Sequence, residues 1–199
     1  MRSTVALCSD LLDSQASVRD RFFQMALRIQ AAQVPQPSEL SPLVWIGDKK
    51  PVQHADPMMR EFLYQHFPDA KCIHLVRHPK AVVSSMIAGA KGPMHWMECW
   101  KLPSADLLAG WCKHEKWVID MKVESRIPIL TVRYSELTTD TRATLYRILS
   151  FLGIPGGSAD VERCVTVTTS GEDEKYLNSG LHLTNEALEI VDMYGLRLS

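Results

Sequence analysis

Lys71-Cys72-Ile73-His74-Leu75-Val76-Arg77-His78-Pro79-Lys80-Ala81-Val82-Val83-Ser84-Ser85 reads as a buried strand that hands an arginine to the start of a helix. Cys72 to Val76 is an apolar run of strand length, and Pro79 suits a first helical position, where its missing N–H costs nothing. Arg77 therefore falls at the carboxyl end of a strand, the edge of an open α/β sheet where ligands bind. A guanidinium fork there can grip a phosphate through two parallel hydrogen bonds, and N–H groups at the helix start favour the same anion. Ser85, eight residues after Arg77, adds a hydroxyl from the helix. A plain strand-turn-helix whose arginine meets a carboxylate would look the same, so the flanking sequence has to decide.

With its spacing, this segment resembles the one with which sulfotransferases using 3′-phosphoadenosine 5′-phosphosulfate (PAPS) hold the 3′-phosphate of the cofactor. Their pattern is a strand, an Arg-Asp-Pro-Arg turn, and a serine eight residues after the first arginine; here it is Arg77-His78-Pro79-Lys80 and Ser85, with His78 in place of the usual acid. Upstream, Trp45-Ile46-Gly47-Asp48-Lys49-Lys50-Pro51 resembles the Trp-Gly-Asp/Glu-Lys-Thr-Pro signature of bacterial-type sulfotransferases, with Lys50 where threonine is commoner. The resemblance implies that the Lys49 ammonium faces the bridging oxygen, where negative charge collects as an SO3-like group departs. Gly-Asp-Lys-Lys-Pro is also good chemistry for a solvated turn. Downstream, Ile127 to Leu137 resembles the family's Tyr-Glu-Asp-Leu strand end, and Phe151-Leu152-Gly153-Ile154-Pro155 resembles the end of the helix that follows. Tyr134 matches the tyrosine beside the adenine, and an aromatic ring with a polar tip suits a purine. Between Thr139 and Gly153, Leu145, Ile148, Leu149 and Leu152 make one apolar stripe that a core helix explains by itself.

The family opens with a strand feeding Arg-Ser-Gly-Thr-Thr, a loop whose backbone N–H groups cradle the 5′-phosphosulfate. Against it this chain keeps Arg2 and Ser3, and further on Leu7, Ser9, Leu11, Leu12, Asp13 and Ser14, but it has Thr4 for the glycine and Val5 and Ala6 for the threonines. Arg2 and Ser3 are accordingly candidate cofactor contacts in a degenerate loop, and the fold is expected to be N-terminally incomplete. The catalytic base is open. Pro51 stands where some members carry a histidine, two residues after the lysine. Glu39 precedes Lys49 in a Pro-rich stretch without a supporting motif, and His54, a residue type whose unperturbed imidazole changes charge near neutrality, is the candidate retained.

At 199 residues, with 46% hydrophobic and 23% charged residues, the chain can bury one sizeable core. A net charge of -1 argues against nucleic acid or an acidic membrane as a partner. The five cysteines are scattered without a Cys-x-x-Cys pair, as expected of thiols in a reducing compartment. Without an apolar run of membrane-spanning length or a signal core, a cytoplasmic location is expected. His74 and His78 straddle a strand end and predict no metal site. Met94, His95, Trp96, Met97 and Trp100 could line an acceptor pocket or simply pack a loop onto the core.

Apolar spacing predicts helices over Val18–Ala32, from Asp56-Pro57 to Phe67 with Met59, Phe62, Leu63 and His66 inward, through Leu107, Trp111, His114, Val118 and Met121, and over Thr184–Tyr194; Leu43–Ile46 is a predicted strand. Strands alternating with helices argue for a parallel sheet. The expectation is one domain over 1–199, recognisable from 44 to 155: an α/β protein with the three-layer P-loop-like sulfotransferase fold and a central parallel sheet. The implied activity is sulfuryl transfer from PAPS, without a metal, to a small-molecule, carbohydrate or peptide acceptor through a hydroxyl or amine. The alternative is a non-catalytic sulfotransferase-like domain that binds adenosine 3′,5′-bisphosphate weakly or serves as an interaction module. Self-association is the partner expectation, since an incomplete sheet leaves an unpaired edge.

Overall fold

The Ser17 hydroxyl accepts the backbone N–H of Asp20 at 3.1 Å and donates to its carboxylate at 2.7 Å, which fixes where the first helix starts. That helix, α1, runs Val18–Gln33 in a computed structural model that describes residues 15–33, 47, 49, 56–92, 94, 95, 97–167, 176 and 179–196. Asp56 caps α2, Pro57–His66, by accepting from Met58 N at 2.8 Å. These elements belong to the first of two compact units, residues 1–68 and 69–199. Phe22 of α1 meets Phe67 edge to face at 5.2 Å, and Phe62 reaches Phe67 at 6.1 Å. The expected inner face of α2 is only partly inward: Met59 and Phe62 stay 38% and 39% exposed, and Tyr64 is the buried residue. The predicted strand Leu43–Ile46 lies outside the described residues.

In the second unit, β1, Cys72–Val76, pairs in parallel with β2, Ile129–Arg133, from Cys72 opposite Ile129 to Val76 opposite Arg133. Among the described residues these two strands are the whole sheet. The connection between them carries α3, Pro79–Lys91, a 3-10 turn at Glu98–Trp100, and α4, Ser104–Glu124. Trp100 lies so close over Gly89 that a Cβ there would come within 2.8 Å of its ring, so this part of the Met- and Trp-rich loop packs onto α3. After β2 come α5, Tyr134–Thr139, α6, Thr141–Leu152, α7, Ser158–Val167, and α8, Asn185–Tyr194.

One core holds this unit together, made of Val76 from β1, Val83 from α3, Leu107, Leu108, Trp111 and Cys112 from α4, and Ala187, Ile190 and Leu196 from α8 and its end. Sequence periodicity places α4 correctly but puts His114 inward, whereas Glu115 is the buried residue. The reason is a partner: Glu115 Oε2 lies 3.1 Å from Nε2 of His74, itself buried on β1. Thr184 caps α8 by accepting from Ala187 N at 3.2 Å, as expected. The helix expected between Thr139 and Gly153 is α6, which the Asp140 carboxylate opens by accepting from Ala143 N; the short α5 before it, closed at Asp140, was not expected. Gly153 then ends α6 in the left-handed region, φ 76°, where a side chain would be strained. No helix among the described residues is long and apolar enough to cross a membrane.

Candidate functional site

Parallel in-register pairing decides what meets at the carboxyl edge of the sheet. Val76 and Arg133 are partners at the ends of their strands. The next residue on each strand is Arg77 and Tyr134, and they emerge side by side. Arg77 Cζ sits over the Tyr134 ring at 4.3 Å from its centroid, and over the Tyr176 ring at 5.7 Å. Such contacts hold a cation in place without consuming its N–H donors.

The turn after Arg77 is built by His78. Its Nδ1 accepts the backbone N–H of Lys80 at 3.2 Å, while its carbonyl accepts Ala81 N at 3.0 Å. Pro79 has no N–H, so these bonds account for the donors of the first three positions of α3. The helix N–H groups expected to favour an anion at this junction are therefore already engaged by His78. Acceptance at Nδ1 also places the proton of the neutral imidazole on Nε2.

Tyr134 is the first residue of α5, and Glu136 fixes that helix to the strand. The Glu136 carboxylate accepts from Arg133 Nε at 2.8 Å, from the Arg133 backbone N–H at 3.3 Å and from Arg147 Nη2 at 2.6 Å. Burial alone would raise its pKa, but the hydrogen bonds from Arg133 and Arg147 outweigh that and hold it at about 2. Sequence reading assigned no part to this trio. Its only signal was the acid two residues after Tyr134 in the strand-end motif.

Ser85 is exposed on α3, nearly two turns after Pro79. Lys49 is exposed and belongs to the first unit. Arg2, Ser3, His54 and Glu39 lie outside the described residues. His74 and His78 do not converge on a metal. Besides its contact with Glu115, His74 holds Nδ1 3.4 Å from Thr131 Oγ1, which also accepts from Lys122 Nζ. Tyr194 closes this buried layer, its ring beside His74 and under Lys122, and burial followed by the Glu115 charge pushes its phenol pKa well up. Among the described residues, no group of His, Cys, Asp and Glu could hold a metal ion. Tyr176 was not singled out from the sequence, because nothing in its own surroundings sets it apart.

Comparison with known proteins fits this arrangement. The chain shares its fold with a solved structure described as "Sulfotransferase Domain from the Curacin Biosynthetic Pathway", with a TM-score of 0.66 at 17% sequence identity, over 98% of this chain and 73% of that one. No curated protein matches it. The sequence profile of the family described as "Sulfotransferase family" matches residues 8–158, well over half of the chain. With a parallel strand pair that delivers an arginine and a tyrosine to one edge, this α/β chain belongs to the sulfotransferase family.

Proposed function

We propose that this protein binds PAPS and transfers its sulfuryl group to a hydroxyl or amine. Arg77, joined by Ser85, holds the 3′-phosphate; Tyr134 lies beside the adenine; Arg2 and Ser3 approach the 5′ end. Lys49 places its ammonium at the bridging oxygen, and His54 takes the proton from the acceptor. The observation that supports this most is the placement of Arg77 on Tyr134 at the carboxyl edge of the parallel strands. These residues suit the chemistry of the nucleotide. A guanidinium matches a dianionic phosphate in charge and fork geometry, and the tyrosine adjoins it as a purine adjoins its ribose phosphate. One side of the Tyr134 ring already carries Arg77, so the purine would meet the opposite face or the hydroxyl. When bound, PAPS supplies a sulfuryl group already attached to a phosphate leaving group. The protein's part is then to orient it, to concentrate positive charge where the leaving oxygen forms, and to receive one proton.

Adenosine 3′,5′-bisphosphate should raise the melting temperature of the chain, and Arg77→Ala should abolish that rise, since a charge-assisted hydrogen bond is worth about 1.5–3 kcal/mol. Lys49→Ala should keep the rise and lose radiolabelled sulfuryl transfer to a panel of phenols, sugars and tyrosine peptides. Equal protection by 5′-AMP would remove the 3′-phosphate assignment.

A further inference from the structure

Tyr134 was expected from its motif, but the second ring over the same guanidinium was not. Tyr176 comes from the stretch after α7, more than forty residues beyond Tyr134 in the chain, and still faces Arg77. An arginine side chain has several rotatable bonds and normally loses much of its freedom when it grips a ligand. One ring at 4.3 Å restrains the guanidinium on one side, and a second ring at 5.7 Å restrains it further. Ordering is then largely complete before the phosphate arrives. That raises affinity only for ligands that use the guanidinium.

We infer that Tyr176 is a positioning residue that sets selectivity for a nucleotide 3′-phosphate by holding Arg77 in its gripping orientation. This rests on the assignment of Arg77 to that phosphate under the proposed function. Tyr176 acts through Arg77. It needs its ring for this and not its hydroxyl, since the cation lies over the ring face.

The test compares the full chain with Tyr176→Phe and Tyr176→Leu, titrating each with adenosine 3′,5′-bisphosphate and with 5′-AMP, and following the fold by circular dichroism. Wild type should prefer the bisphosphate. Tyr176→Leu should weaken the bisphosphate about fivefold, in the range of a partly desolvated cation–π contact, and leave 5′-AMP unchanged. Tyr176→Phe should restore the wild-type preference. Equal weakening of both nucleotides by Tyr176→Leu would mean a merely structural role and would overturn the inference, as would an unaltered preference in that variant. Failure of Phe to rescue would show that the hydroxyl matters and overturn the ring-based account. A wild-type chain that binds both nucleotides alike would instead overturn the 3′-phosphate assignment, and the inference with it.

Discussion

His78 departs from the family's usual acid yet does the acid's structural work. An aspartate in that turn would cap the helix with a carboxylate oxygen; here Nδ1 of a buried imidazole accepts the same Lys80 N–H at 3.2 Å. The exchange keeps the cap and removes a negative charge beside Arg77. His78→Ala should cost about 1 kcal/mol in chemical denaturation, the usual loss of an N-cap side chain. His78→Asp should hold stability but weaken adenosine 3′,5′-bisphosphate, because a carboxylate next to the guanidinium competes with the phosphate. Unchanged affinity in that variant would show that charge at this position does not reach the site. Arg77 and Tyr134 were legible in the sequence because each ends a strand with a recognisable pattern. Tyr176 was not, since its contact depends on how a distant segment folds back.

At the scale of elements, the helix ends were the most readable features. Asp56, Thr184 and Gly153 each act through bonds between neighbours in sequence, and all three stand where expected. The short helix α5 was hidden because Tyr134 to Leu137 read as the end of a strand, and only the local hydrogen bonds around Asp140 separate α5 from α6. No helix was assigned over α7, whose Val165-Thr166-Val167 end is β-branched and helix-neutral at best. Lys71 was equally out of reach of a local reading. Its ammonium donates to the carbonyls of Phe151 and Leu152 at 2.7 and 3.2 Å, stopping α6 from the foot of β1, 80 residues away. A cation at a helix C-terminus satisfies orphan carbonyls and opposes the negative end of the dipole. Lys71→Met, which keeps most of the stem, should therefore destabilise by about 1.5 kcal/mol. Hydrogen exchange should show the last turn of α6 opening first. Uniform exchange across the whole unit would mean that Lys71 is not a terminal clasp.

Over the whole molecule, buried and half-buried polar groups tie the elements around the sheet together, and pH should reveal them. His74, Glu115, Lys122, Thr131 and Tyr194 join both strands to α4 and α8. Glu136 joins β2 and α5 to α6 through Arg133 and Arg147. Tyr194 has a raised folded pKa, so the stability it lends is whole below the ordinary tyrosine range and drains away as pH rises through it. Glu136 works in the opposite sense. Its folded pKa of about 2 lies below the ordinary 4.5, so its contribution is complete above 4.5 and is lost as pH falls toward 2. Protonation of Glu136, two residues from Tyr134, would release both arginines, so the tyrosine edge of the site should loosen as that contribution goes. Melting temperature measured from pH 6 to pH 2 should fall steeply for wild type, while Glu136→Gln should start lower and fall less, the two curves converging at the acid end. Parallel curves across that range would mean that the arginine clasp on Glu136 is not what secures this end of the strand, and that Tyr134 is held in place by packing alone.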